Sequence, residues 1–226
     1  MKKSNIFLIS LFSSVTLFII SGAIVSVARG KPEPNNNNFT ISGPSYGYVL
    51  MSKTNYKLNA KAGEKFEFVV GLEKGEEKIN LPFITQGDTL VLSPLPEELV
   101  SKVRYVEMKF PSKTMNFELK KAHIDIYNSS ASSFNIKLDQ SKMNIFSKED
   151  HSLEYLNISV KNNSDFYSNT PLNHLKIEIN NSSFKSYGSV KEVIGTANDT
   201  AKVYISQPGI TDFKKDASSR VRFNYN

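Results

Sequence analysis

Apolar and polar residues alternate along most of the chain beyond its first forty residues. The run that contains Phe66, Phe68 and Val70 is a clear example. Alternation with a period of two predicts β-strands with one buried face. A pattern typical of a short helix occurs from Pro96 to Lys102, where a proline and two glutamates suit a first helical turn. The alternation therefore predicts an all-β domain with very little helix.

A coarse repeat follows Ala122. Four segments can be aligned so that each follows a strand of alternating apolar residues and ends in an apolar residue. These segments are Asp139–Met143, Asn162–Phe166, Asn180–Phe184 and Ala197–Ala201. Their starts are 23, 18 and 17 residues apart. Repeats of about 20 residues are typical of stacked coils, which bury their apolar face only against neighbouring coils.

The composition of the repeat suits the corners of such coils. Asparagine tolerates left-handed backbone, and both Asn and Ser bond to turn amides through their side chains. The repeat thus predicts a β-solenoid whose aliphatic residues stack in columns, and the alignment places Ile124, Ile136, Ile158, Ile177 and Ile194 in them. A β-sandwich with Asn-rich loops is the alternative, since strands every ~8–12 residues also suit sandwiches.

The N-terminal segment is an apolar run of a different kind. Lys2 and Lys3 precede 24 uncharged residues from Asn5 to Ala28, and Arg29 closes the run. As a helix this run is long enough to cross a hydrocarbon core of ~30 Å, which favours a signal anchor. Small residues at 26–28 also fit a cleavage site, so a signal peptide is the alternative. We therefore predict that residues 5–28 contact the membrane and that the rest of the chain, which lies C-terminal to them, is exported.

Three regions follow from these patterns. Residues 1–30 are the signal anchor or signal peptide, and residues 31–38 form a polar, proline-containing linker. Residues 39–226 are the solenoid domain, with irregular strands at 39–115 and Asn- and Ser-punctuated coils at 116–226.

Three stretches carry a family resemblance, which spans roughly residues 39–205. They are Phe39–Pro44, Gln86–Leu92 and Leu172–Ile179. Together they resemble the head GIN domain family, described as putative auto-transporter adhesins of bacterial envelope proteins. The resemblance implies a right-handed parallel β-helix behind an export signal or anchor, with an adhesin-like role. Asn replaces much of the Gly and Ser richness usual in that family.

Charge and cysteine content narrow the class of function. The formal net charge is +6, but without Lys2, Lys3 and Arg29 the rest has 25 basic and 22 acidic residues. In sequence order the basic residues are spread along the chain, whereas a nucleic-acid binder is expected to cluster them between aromatic platforms. No nucleic-acid partner is therefore predicted. The absence of cysteine excludes disulfides and thiolate metal sites.

The sequence offers little catalytic chemistry. His123, His151 and His174 show no metal-ligand spacing, and phosphate-loop and nucleophile-elbow motifs are absent. His123 and Asp125 share one face of a strand, where a carboxylate could orient the imidazole, although an ordinary outward polar face is favoured. No catalytic, cofactor or metal residue is predicted, so the chain is not expected to be an enzyme. The alternative is a carbohydrate-active enzyme on a β-helix scaffold, which needs converging carboxylates.

A binding or scaffolding role is the remaining expectation. Stacked parallel coils present a regular ladder of side chains, which suits extended polymers such as glycans or the strand edge of an envelope protein. Candidate contact residues are Tyr127, Tyr155, Tyr167 and Tyr187. Besides a binding protein and a carbohydrate-active enzyme, a third hypothesis is a structural module. Its end strand, Arg220 to Tyr225, would pair with a partner or terminate the stack. The expected location is the bacterial cell envelope, as a single-pass membrane protein with its C-terminal domain periplasmic or extracellular, or secreted after signal cleavage.

Overall fold

The computed structural model describes residues 38–79, 81–111, 113–128, 131–147 and 151–225, which form nineteen strands and one short helix. The first elements are β1 (Asn38–Ser42), β2 (Tyr48–Ser52), β3 (Lys57–Ala62), β4 (Glu67–Leu72), β5 (Phe83–Gln86), β6 (Thr89–Leu92), α1 (Glu97–Val100) and β7 (Val103–Phe110). Helix α1 lies within the stretch that the sequence predicted to be helical.

Regular coils begin at β8. Their strands are β8 (Thr114–Lys120), β9 (His123–Tyr127), β10 (Ser133–Asp139), β11 (Lys142–Phe146), β12 (Leu153–Lys161), β13 (Asp165–Ser168), β14 (Leu172–Asn180), β15 (Ser183–Ser186), β16 (Val190–Asn198), β17 (Lys202–Ser206), β18 (Pro208–Lys215) and β19 (Arg220–Asn224).

The strands form two sheets. Sheet 1 has the order β1-β4-β7-β3-β9-β11-β13-β15-β17-β19, and sheet 2 has the order β18-β16-β14-β12-β10-β8-β2-β6-β5. From β8 onward the chain alternates between the sheets, so each coil contributes one strand to each sheet. Neighbouring coils pair in parallel, as Ile136 does with Ile158. The predicted β-solenoid is confirmed, and the β-sandwich alternative is wrong because the stacked strands are parallel.

The first part of the domain joins the same stack out of sequence order. Strands β2 and β3 pair in parallel with β8 and β9, and β6 and β7 then pair with the other side of β2 and β3. Strands β1, β4 and β5 pair antiparallel with their neighbours and lie at that end of the sheets. These antiparallel strands are the irregular part of the domain.

The core consists of columns of apolar side chains between the two sheets. In sheet 1, Met143, Phe166, Phe184 and Val203 are in register and buried, and the rings of Phe166 and Phe184 stack with centroids 4.9 Å apart. Burying such side chains is the main favourable term in folding. The coils therefore seal one another along the solenoid axis.

Two of the predicted column members lie elsewhere. Ile124 belongs to sheet 1, where it pairs with Met143, whereas Ile136, Ile158 and Ile177 form a column in sheet 2. Ile194 is 44% exposed, because Gly195 is the residue in register with Ile177. A shift of one residue in a strand moves a side chain to the opposite face.

The corner between sheets 2 and 1 explains part of the irregular repeat; the 23-residue interval also contains a longer connection between β11 and β12. One left-handed residue, Gln140 or Asn181, turns some corners, whereas two consecutive left-handed residues turn others, such as Asp199 and Thr200. Ala201 is in register with the corner serine Ser182, so the predicted alignment of Ala201 with the apolar end of the segment is wrong by two residues. One is the additional corner residue, and the other arises because Asn198, not Ala197, pairs with Asn180. Val203 occupies that position instead.

The predictions for residues 1–37 lie outside the described residues. They concern the N-terminal hydrophobic helix and all but the last residue of the linker; that last residue, Asn38, begins β1. In the described ranges no helix has the length and apolar character needed to cross a membrane.

Candidate binding surface

A row of aromatic side chains crosses the outer face of sheet 1. Alternation along these strands directs one set of side chains into the core and the other outward. Five outward residues on successive coils touch in sequence, with ring centroids 5.0 to 5.6 Å apart. This aromatic row consists of Tyr127, Phe146, Tyr167, Tyr187 and Tyr204.

The rings of the aromatic row cover one another's faces in part. Tyr127 and Phe146 stack with an angle of 17° between their planes, and the other neighbours are tilted by 38° to 43°. Tyr187 nevertheless remains 51% exposed and Tyr127 38% exposed. Aromatic rings carry a positive edge and, in tyrosine, a polar hydroxyl. A molecule lying on this face meets ring edges and hydroxyls more than open ring faces.

A buried carboxylate lies at the start of the row. Asp125 is at an outward position of β9 but is only 5% exposed. Its oxygens accept hydrogen bonds from Lys57 Nζ at 2.9 Å, Tyr127 Oη at 3.0 Å and Asn144 Nδ2 at 2.6 Å, and His123 Nε2 lies 3.1 Å away. The sequence prediction that His123 and Asp125 share a face is correct, and the two side chains are in contact.

The pKa values of this cluster follow from burial and hydrogen bonding. Burial alone would raise the pKa of Asp125, but the hydrogen bonds from Lys57, Asn144 and Tyr127 outweigh it and lower the pKa below 3.8. Burial lowers the pKa of His123, although Asp125 opposes the shift. Asp125 is thus held as an anion with its charge already matched by Lys57.

The other end of the same face is basic. Outward positions of β15, β17 and β19 carry Lys185, Lys202, Arg220 and Arg222, and these three strands have no carboxylate. We call these four residues the basic cluster. Lys202 is in register with Arg220, and Tyr204 is in register with both Lys185 and Arg222. Within the described residues, none of the four forms an ion pair.

The outer face of sheet 2 has a different character. Asn116, Asn135 and Asn157 are in register on adjacent strands, and each successive amide donates to the one before it, at 3.0 and 3.4 Å. A hollow of about 410 Å³ lies over these residues. Further along, the rings of Tyr155 and His174 stack with centroids 4.8 Å apart. This face is polar and mixed in charge.

The structure separates the residues that the sequence singled out. Tyr127, Tyr167 and Tyr187 lie together in the aromatic row, whereas Tyr155 lies on sheet 2. Across the described ranges, His, Asp and Glu side chains do not gather in threes where they could hold a metal ion.

The histidines and the corner aspartates are also dispersed. His151 Nε2 lies 3.2 Å from the carbonyl of Ala131, and His174 Nδ1 lies 2.6 Å from Glu192. Asp139, Asp165 and Asp199 occupy three different positions of the same corner. They do not line one groove as paired catalytic carboxylates would.

Sequence reasoning missed the basic cluster and the continuity of the aromatic row. In sequence the basic residues looked dispersed, because coil stacking joins positions that are 18 or 19 residues apart. The available signal was the repeat itself: folding the sequence at its coil period places Lys185, Lys202 and Arg220 near one another. The corner before β17 holds one more left-handed residue than the corner before β15, so a fixed period does not reproduce this register.

Comparison with known proteins gives structural likeness alone. No family model matches the chain, and none of the curated proteins matches it. A putative adhesin from Bacteroides fragilis is similar with a TM-score of 0.44 and 10% identity, over 84% of this chain and 98% of that one. A putative adhesin from Parabacteroides distasonis reaches 0.40 and 12%, over 83% and 93%.

A putative cell adhesion protein from Clostridium sporogenes has a TM-score of 0.32 and 10% identity, over 83% of this chain and 98% of that one. The resemblance to the head GIN domain family stays a prediction, since no family model supports it.

Proposed function

We propose that the chain is a non-catalytic, adhesin-like binding protein of the bacterial cell envelope, and that the outer face of sheet 1 is its contact surface. The observation that carries this proposal is the aromatic row. Exposed tyrosines are enriched where proteins bind partners, because they bury a large apolar area and still offer a hydroxyl. Four tyrosines and one phenylalanine touch on consecutive coils, and Tyr127 and Tyr187 are the exposed members of this strip.

The rigidity of the scaffold supports a binding role. Four of the five residues of the row lie on strands of sheet 1, as Tyr167 does on β13 between β11 and β15. Tyr187 directly follows β15, and its N–H donates to the carbonyl of Ser168 at 2.8 Å. Little conformational entropy is therefore lost when a partner binds, which favours affinity. Regular spacing of strands also suits a partner that is itself a repeating polymer such as a glycan.

The test is a glycan array probed with the full chain in a mild non-ionic detergent, which keeps the apolar N-terminal segment in solution. We expect retention of at least one class of glycan, and we expect Tyr187→Ser to weaken it about tenfold, as loss of a central aromatic contact does. Tyr155→Ser is the matched control, because Tyr155 is 52% exposed and Tyr187 51%.

The control distinguishes the loss of a binding contact from a loss of folding stability. Tyr155→Ser should bind like the unaltered chain, and thermal unfolding of both variants shows whether either substitution affects stability. If no glycan is retained, or if Tyr155→Ser weakens retention as much as Tyr187→Ser does, the outer face of sheet 1 is not the contact surface.

A further inference from the structure

We infer that the ligand of this surface is an acidic polysaccharide, whose carboxylates or sulfates bind the basic cluster at the end of the aromatic row. This inference rests on the proposed function and names the ligand class for the same face. The cluster borders a shallow hollow of about 490 Å³, which Lys185, Lys202, Tyr204, Arg220 and Arg222 line together with Lys215. Among the described residues, no carboxylate lines that hollow.

The charge of the cluster is not neutralised within the described structure. Surface lysines and arginines usually have acidic neighbours, as Lys61 has in Glu107 at 2.8 Å and Lys109 has in Glu67 at 3.2 Å on the first coils of sheet 1. In the described part of the chain the four cations of the cluster form no ion pair, and Asp165, the carboxylate in register with Lys202, lies two strands away on β13. Neighbouring strands are ~4.8 Å apart, so cations on adjacent coils repel each other unless an anion lies between them.

Across its described strands, the outer face of sheet 2 does not have a cluster of basic residues without carboxylates. At the same coils, the outward positions of sheet 2 mix Lys176, Lys191 and Lys214 with Glu178 and Asp212. Positive charge without interspersed carboxylates is therefore concentrated on sheet 1 and beside Lys215 of β18, where it adjoins the aromatic row. An anionic chain laid along the solenoid axis would meet cations at one end and, next to them, the side chains of Tyr204, Tyr187 and Tyr167.

Ring geometry favours a glycan over a single-stranded nucleic acid. Binding of single strands depends on bases that stack on open aromatic faces between basic residues. In the aromatic row the rings lie against one another, with centroids 5.0 to 5.6 Å apart, so their inner faces are covered. Ring edges and hydroxyls remain, and these suit the oxygens of an acidic sugar.

The test compares polygalacturonate, uncharged dextran and a single-stranded oligonucleotide, each in the presence of the full chain at low and at physiological salt. We expect polygalacturonate to bind, dextran to bind at least tenfold more weakly, and salt to weaken the polygalacturonate complex because screening shortens electrostatic reach. Lys202→Gln combined with Arg222→Gln should weaken polygalacturonate binding about tenfold, since each removes one exposed ionic contact.

A charge-matched control lies on the other sheet. Lys176→Gln combined with Lys191→Gln removes the same charge from sheet 2 and should leave binding unchanged. Equal loss in both double variants would show a response to net charge alone and would overturn the inference. Tighter binding of the oligonucleotide than of polygalacturonate would overturn it too, in favour of a nucleic acid.

The remaining outcomes separate the inference from the proposed function. If dextran binds as well as polygalacturonate and salt has no effect, the surface binds glycans but charge does not select them, so the inference fails and the proposed function stands. If neither polysaccharide binds and the glycan array is also empty, both fail.

Discussion

Asp125 illustrates how a single polar residue is accommodated on a solenoid face. It projects outward from β9, yet its neighbours shield it and supply three hydrogen-bond donors, of which Lys57 is charged. A buried anion is costly unless it is paired and hydrogen-bonded. The cluster satisfies that requirement, which is why we assign Asp125 a structural role and not a catalytic one.

Asp125→Asn should destabilise the fold at neutral pH by about 1–3 kcal/mol, because the hydrogen bonds lose their charge and Lys57 loses its counter-ion. The folded state lowers the pKa of Asp125, so its stabilising contribution is present above pH 3.8 and is lost as the pH falls through the lowered value. The lowered pKa of His123 acts in the same direction, starting below pH 6.5. Urea unfolding between pH 3 and 7 measures both effects.

In Asp125→Asn the acid limb below about pH 4 should be shallower than in the unaltered chain. Asp165→Asn on β13, two strands away from Asp125, is the control, since that residue is exposed. Its stability should stay within about 0.5 kcal/mol at neutral pH. Identical acid limbs in the chain with and without Asp125 would contradict this account of the cluster.

At the scale of elements, buried serines on successive coils form a column at the corner where the chain passes from sheet 2 to sheet 1. The backbone N–H of Ser141 donates to Ser164 Oγ at 3.0 Å, and the N–H of Ser164 donates to Ser182 Oγ at 3.1 Å. Ala122 and Ala201 occupy the same column on other coils. Small residues are needed there, and the hydroxyls satisfy backbone donors that would otherwise be buried without a partner.

Ser164→Ala should destabilise the domain by about 1–3 kcal/mol, because the N–H of Ser141 and the carbonyl of Lys161 each lose a partner. Alanine fits the position sterically, as Ala122 and Ala201 show. Ser186→Ala is the matched control: Ser186 is also fully buried, but its hydroxyl has no hydrogen-bond partner within the described structure.

The control should be neutral or slightly stabilising when unfolding is measured by denaturant titration. A cost for Ser186→Ala equal to that of Ser164→Ala would mean that buried volume, and not hydrogen bonding, stabilises the corner.

Much of this element structure could be predicted from sequence. Alternation located the strands, and the Asn- and Ser-rich segments located corners. The alignment of Met143, Phe166 and Phe184 is confirmed by their register. The last coil was misaligned by two residues, because its segment was started at Ala197 although Asn198 pairs with Asn180, and because its corner holds Asp199 and Thr200 where the preceding corner holds Asn181 alone. Corner length follows from backbone geometry that residue types do not specify. The basic cluster was not predicted for the same reason, because the register between its strands could not be derived from the sequence.

On the scale of the whole molecule, stacking turns a dispersed sequence into two contrasting faces. Residues that are far apart in the chain become neighbours, so charge and aromatic character accumulate on sheet 1, whereas sheet 2 carries asparagines and mixed charges. A solenoid is well suited to such separation, because each coil contributes one outward segment to each face. The order of the first coils, with β6 and β7 placed beyond β2 and β3, could not be predicted from local patterns.

Hydroxyl-radical footprinting of the tyrosines, with and without polygalacturonate, tests most directly whether sheet 1 is the contact surface. We expect oxidation of Tyr187 and Tyr204 to fall when the polymer binds, because both lie in the aromatic row beside the basic cluster, and we expect Tyr155 on sheet 2 to react as before. Protection of Tyr155 with no change at Tyr187 and Tyr204 would contradict the assignment of the contact surface.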